Sequence, residues 1–264
     1  MKKLLSYSQW IYIHFRTQFA YRGIILESVF DFLVRNILLY YIWKVVYECT
    51  TIVANRTYEQ MIAYALTSSM IISLLSYPDI HFLAYDIKHG GIAYSLLKPM
   101  DFQLQFLLKD TGIALAYFIA LFPVCVAAMF VLNTSVDLTS NWPCFIISLT
   151  IGIFLSFTIN FIFGSLCFWV ENSWGISNFR HVVVGFLSGA ILPLDLISIR
   201  LSRLSLYFPF AGIVYIPAGI LTDQFEKQNI GVLLLIQICW VLILWVIGKL
   251  IYQKVKRLVV INGG

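Results

Sequence analysis

The sequence predicts an all-α integral membrane protein with six transmembrane helices. An N-terminal interfacial amphipathic helix precedes them, and a re-entrant or external helical element separates spans five and six. Three observations lead there. Of the 264 residues, 60% are hydrophobic and 12% are charged, about half the charged share of an ordinary soluble domain and too little to cover a soluble surface. Several uncharged stretches reach the roughly 20 residues that cross a bilayer as a helix. Lys and Arg are distributed unevenly between alternate loops, in the way an even number of spans requires.

Six spans use nearly the whole chain, so residues 1–264 form a single transmembrane domain. No gap between apolar segments exceeds about 35 residues, which leaves no room for a separate globular domain. Any soluble catalytic machinery is therefore expected on a partner.

The elements follow in order. In residues 2–18, Lys2, Ser6, Gln9 and Arg16 lie opposite Leu4, Leu5, Ile11 and Phe15, the pattern of a helix lying in a membrane interface. Span one, Phe30–Tyr47, carries Asp31, Arg35 and Lys44. Asp31 and Arg35 have ion-pair spacing on a helix. A lone charge in hydrocarbon costs at least about 2.5–3.5 kcal/mol, so pairing or exposure to water is required of them. A structural ion pair and a place on a transport path both fit. Span two is Tyr58–Pro78, with Glu59 at its edge, and residues 79–110 form a cytoplasmic loop. Span three is Thr111–Leu132.

Span four begins near Trp142-Pro143 and carries Ser148, Gly152, Ser156, Asn160 and Gly164 at steps of four. Small residues at that spacing admit a closely crossing helix, and Ser or Asn can hydrogen-bond across the contact. A polar track facing cargo is the alternative. Gly185-x-x-x-Gly189 is the same kind of signal in span five, which begins within His181–Leu194. Leu204–Thr222 is uncharged but interrupted by Pro209, Gly212, Pro217 and Gly219. Proline removes a backbone donor and clashes with the preceding turn, so residues 194–222 are expected to form a broken external element rather than a span. Span six is Gln228–Gly248.

This map places twelve of the 18 Lys/Arg in cytoplasmic segments: Lys2, Lys3, Arg16, Arg22, Lys88, Lys98, Lys109, Arg180, Lys249, Lys254, Lys256 and Arg257. Four are external (Arg56, Arg200, Arg203 and Lys227), and both termini fall in the cytoplasm.

Other chemistry is not indicated. The five cysteines are scattered and His14, His81, His89 and His181 have no metal-ligand spacing. No G-x-x-x-x-G-K-[ST] run is present to cradle a nucleotide phosphate, so no cofactor is expected on this chain. No catalytic set stands out, and Asp195 has no obvious mate. No basic stripe interleaved with aromatics points to nucleic acid.

Three stretches carry a resemblance. One is Ile87-Lys88-His89-Gly90-Gly91 through Leu96-Leu97-Lys98-Pro99. The second is Leu187-Ser188-Gly189-Ala190-Ile191-Leu192-Pro193-Leu194, followed by Phe208-Pro209-Phe210 and Tyr215-Ile216-Pro217. The third is the basic, glycine-ended tail Arg257–Gly264. The chain resembles the ABC transporter type-2 permeases, in particular a drug- or peptide-exporter-like branch. The resemblance implies the permease subunit of an ATP-driven exporter in the bacterial plasma membrane. It implies separate ATP-binding-cassette ATPase subunits that carry ATP-Mg, and a second permease copy or a homologous permease. It assigns Lys88, Gly90, Gly91, Leu97, Lys98 and Pro99 to a coupling loop. An external gate is drawn from Gly189, Pro193, Asp195, Pro209, Phe210 and Pro217. Two other classes fit the composition: a self-contained secondary transporter or channel, and a non-transporting membrane immunity or sensor protein.

Overall fold

The computed structural model describes residues 2–54, 56–75, 97–98, 100–134, 141–167, 169, 173–196 and 203–262. Among these the elements run α1 (Lys2–Ala20), α2 (Arg22–Cys49), α3 (Tyr58–Leu75), α4 (Phe102–Val131), α5 (Trp142–Leu166), α6 (Ser173–Leu187), a 3-10 turn (Leu194–Leu196), α7 (Tyr215–Leu221) and α8 (Lys227–Asn262). Among the described residues three helices are long and apolar enough, by length and composition, to cross a membrane: Phe102–Val131, Trp142–Leu166 and Lys227–Lys254. α2 reaches 28 residues but carries charges, α3 has 18 and α6 only 15.

Local chemistry sets the helix starts. Thr57 and Gln60 bond reciprocally at the head of α3, side chain to backbone N–H at 3.1 and 3.4 Å, a capping box. Asp101 caps α4 by accepting from the backbone N–H groups of Gln103 and Leu104. Pro143 sits in the first turn of α5, where its missing donor costs nothing.

α6 departs from the expected fifth span. It starts at Ser173 and stops at Leu187, short of Leu194. Gly189 has φ +76°, the left-handed conformation that ends a helix cheaply only at glycine. The Ser188 and Gly189 N–H groups close the last turn onto Val184 and Phe186 carbonyls. The chain then doubles back, bringing Ile191 against Gly185. Ile191 and Leu192 are apolar, but their backbone no longer continues the helix.

In Leu204–Thr222 helix continues only through residue 205 at the start and over the seven-residue α7, every residue of which is buried. Pro217 lies in its first turn. α7 packs on α3 and α5; α8 packs along α5, α2 along α3, and α1 along the start of α4. The core joins Met61, Tyr64, Tyr117, Leu121, Phe145, Leu155 and Ile213 from these layers. Polar side chains tie the layers inside. Ser148 of α5 donates to the Gln237 Oε1 of α8 at 3.0 Å, and Gln237 Nε2 donates to the Gly212 carbonyl at 2.7 Å. Ser69 of α3 donates to Asn36 Oδ1 of α2 at 2.8 Å. Large apolar side chains cover the outer faces of α2 (Leu26, Phe30, Leu38, Ile42) and α8 (Leu235, Leu242, Val246). A surface of that kind suits lipid, where apolar exposure carries no cost.

Candidate functional site

The turn between α2 and α3 aims a cation inward. Val53 and Arg56 bond backbone to backbone at 3.0 and 3.2 Å around Ala54, and Tyr47 donates to the Arg56 carbonyl at 2.9 Å. The Arg56 side chain is 2% exposed. Its Nη2 reaches Asp195 Oδ2 at 2.9 Å and Gln224 Oε1 at 2.6 Å. Its Cζ lies 4.5 Å from the centre of the Tyr64 ring, cation–π range. Tyr64 in turn donates to the Gly189 carbonyl at 2.8 Å. One guanidinium thus fastens four segments: the α2–α3 turn, α3, the chain after α6 and the chain after α7. Asn141 adds a fifth by donating to Asp223 at 2.8 Å. Asp195 therefore does have a mate, contrary to the sequence expectation. The pair is separated by 139 positions, and no spacing rule could have joined them.

Around this latch sit the other residues assigned to a gate. Gly189 is backed by Tyr64, Leu194 and Tyr215; a Cβ there would lie 3.0 Å from the Tyr64 hydroxyl. Pro193, Pro209 and Pro217 are buried and Phe210 is half-buried.

At the opposite end of α2, α1 docks on the head of α4. Gly112 makes this possible: a Cβ there would lie 2.5 Å from the Ile11 carbonyl oxygen. Trp10 donates its indole N–H to the Gln105 carbonyl at 3.2 Å, and the Lys98 ammonium sits 4.6 Å from the centre of the same Trp10. Leu97 beside it is 82% exposed. Lys88, Gly90, Gly91 and Pro99 lie outside the described residues.

His14 faces this contact. Burial, then the Lys109 and Lys98 ammonium groups, push its pKa down from 6.5 to about 4. The folded contact therefore resists the proton that the unfolded chain takes up near pH 6.5. Docking of α1 is complete above that pH and weakens as pH falls toward 4. A spin label on Gln9→Cys should gain mobility over this window, and His14→Phe should abolish the change.

The stripe on α5 is divided among several partners. Ser148 meets Gln237. Gly152 lies against the Gly212 and Ile213 carbonyls, where a Cβ would sit 3.1 Å from each. Ser156 and Gly164 are buried. Asn160 accepts from Arg180 Nη1 at 2.6 Å. Arg180, counted from sequence as a loop charge, is inside α6 and 3% exposed. Asp31 and Arg35 lie 2.8 Å apart, with side chains 57% and 42% exposed. Sequence reasoning missed Arg56, Gln237 and Trp10 as organising residues. Only Gln237 carried a signal, as a polar residue within an apolar span.

No curated protein sequence matches the chain. The model of a family described as ABC-2 family transporter protein matches residues 33–263. That match covers α3 to α8 and most of α2, including both the latch and the residues on which α1 docks, and the chain accordingly belongs to the ABC-2 family of transporter proteins, as a multi-pass membrane permease component.

Proposed function

We propose that this chain is the permease subunit of an ATP-driven exporter, coupled to separate ATP-binding-cassette ATPase subunits that carry ATP-Mg. Two permeases, identical or homologous, frame the path in a bacterial plasma membrane. The chain spans six times, through α2, α3, α4, α5, α6 with the segment after it, and α8. Both termini and α1 face the cytoplasm. The segment from Leu194 to Thr222 is the external gate, fastened by Arg56.

The clasp of Lys98 on Trp10, with α1 seated on Gly112, is the observation that carries this reading. A force applied by an ATPase at the exposed Leu97 reaches α1 and α4 together, because the loop end, α1 and the head of α4 are joined by direct contacts. ATP binding can drive the switch only if it favours one arrangement over the other. The latch supplies a two-state element at the far end, either paired or parted.

The test is capture of a co-expressed ATP-binding-cassette ATPase by the tagged full-length chain. Leu97→Asp and Lys98→Glu should abolish capture and stimulated hydrolysis while leaving the permease folded, since Leu97 is exposed. Undiminished capture by both variants would refute the coupling role.

A further inference from the structure

A cavity of about 420 Å³ opens among α2, α3, α5 and α6. That size falls within the roughly 300–1,000 Å³ of small-molecule sites. Most of its wall is apolar, with Leu39, Ile72, Val184 and Ile191 among the lining residues. Three basic side chains, Arg35, Arg180 and His181, also line it, and no lining residue is acidic. Asp31 touches Arg35 from outside the wall, and Asp110 feels Arg180 from α4 without reaching the cavity.

The geometry of the basic groups is held. Asn160 accepts from Arg180 Nη1 at 2.6 Å, and Arg180 Nη2 lies 3.0 Å from the His181 ring nitrogen Nε2. Arg35 gives one N–H to Asp31, and a guanidinium has five. Both arginines lie near the middle of their helices, Arg22–Cys49 and Ser173–Leu187. α2 packs on α3 while α6 packs on α5, so the cavity lies in the cleft between the two pairs. The same two helices expose apolar side chains close in sequence to the lining residues, including Leu38 and Ile42 on α2 and Val182 and Phe186 on α6.

We propose that this cavity binds a single-chain anionic amphiphile, its carboxylate or phosphate head held by Arg35 and Arg180 and its alkyl chain lying along the apolar wall. Guanidinium forks match such oxyanions. A cationic amphiphile would meet only like charge. The proposal deepens the exporter reading by naming the cargo class, and it rests on that reading only in treating the bound molecule as cargo.

The experiment uses the full-length chain in phosphatidylcholine nanodiscs without any ATPase. Diazirine-tagged palmitate is photocrosslinked and the sites are mapped by mass spectrometry. Labels are expected on the α2, α3 and α6 walls. Dodecyl phosphate should displace the probe at about tenfold lower concentration than dodecyltrimethylammonium, the difference one charge-assisted hydrogen bond makes. Arg35→Gln should weaken labelling by a similar factor and Arg35→Lys should restore part of it. Arg35→Gln leaves Asp31 without its cation, so the thermal unfolding of each variant is measured alongside, and Arg35→Lys, which keeps the pair, separates lost binding from a lost fold. Repeating the labelling in phosphatidylglycerol nanodiscs separates the sources. Lost labelling identifies a bilayer lipid as the natural occupant, and retained labelling identifies a free amphiphile; both support the site. Equal displacement by anion and cation, or labelling unchanged in Arg35→Gln, overturns it. Because no ATPase is present, such a failure removes the site and leaves the coupling reading standing, whereas failure of ATPase capture would do the reverse.

Discussion

Replacing Arg56 with alanine is expected to destabilise the chain by about 3 kcal/mol, the low end of what breaking a buried ion pair costs. The low end applies because Asp195 keeps 21% exposure and can recover some water. Three losses coincide. Asp195 keeps a charge without its cation, Gln224 Oε1 loses its 2.6 Å donor, and the Tyr64 ring loses its cation. Asp195→Asn alone should cost less, because Arg56 retains Gln224 and Tyr64. In a double-mutant cycle the two changes should be strongly non-additive, since they share one contact. Thermal unfolding of the purified chain in one fixed detergent measures all four proteins. Arg56→Lys should recover only part of the loss, since one Arg56 nitrogen, Nη2, meets both Asp195 and Gln224 while the planar guanidinium lies against the Tyr64 ring, and a compact ammonium cannot reproduce that stacking. Additive effects would mean that the pair contributes nothing of its own.

The second large effect is expected at Gly112. Leucine there drives a side chain into the Ile11 carbonyl, 2.5 Å from the Cβ position. A backbone carbonyl in a helix cannot turn aside as a flexible side chain can, so α1 must lift as a unit. Overpacking of this kind costs up to about 3 kcal/mol. The Trp10–Gln105 hydrogen bond and the Lys98–Trp10 contact depend on the same seat and should be lost with it. A Gln9→Cys spin label should become mobile at neutral pH in Gly112→Leu, whereas in Lys98→Ala, which removes a contact worth about 0.5–1 kcal/mol, it should remain largely immobile. The latch at the other end should keep its thermal signature, because α1 is not part of it.

These two sites differ in how far they could be read from sequence. Lipid imposes length and apolarity on any helix that crosses it, so the runs from Thr111, Trp142 and Gln228 announce themselves, and the structure has long apolar helices over all three. The break in Leu204–Thr222 was legible for a different reason. Pro209, Gly212, Pro217 and Gly219 are incompatible with a regular span, and residues 206–214 separate helix ending at residue 205 from the short α7. The end of α6 was misjudged because hydropathy reads Ile191 and Leu192 but not the sign of φ at Gly189. Arg180, expected in a loop, lies inside α6, and Arg56, in the α2–α3 turn as expected, has its side chain buried. A positive-inside count records that a cation exists, not that Asp195 or Asn160 waits for it across the fold. The four-residue stripe on α5 showed that something packs closely there. It did not show that the partners would be Gln237, the Gly212 carbonyl and Arg180, because a partner's identity is tertiary information.

In the proposed exporter, nucleotide on a partner ATPase opens the Arg56 latch through α1 and α4. The direct measurement is the distance between spin labels at Ile52, in the turn that carries Arg56, and Leu204, in the chain between Asp195 and Gln224, both exposed, after the exposed Cys49 and Cys239 are replaced by serine. It is made on the full complex with its ATPase, without nucleotide and then trapped with ATP and vanadate. A shift of several ångströms to a second, longer distance population on trapping is the predicted result, with Arg56→Ala populating that longer distance before nucleotide is added. A single distance population unchanged by nucleotide would contradict the account.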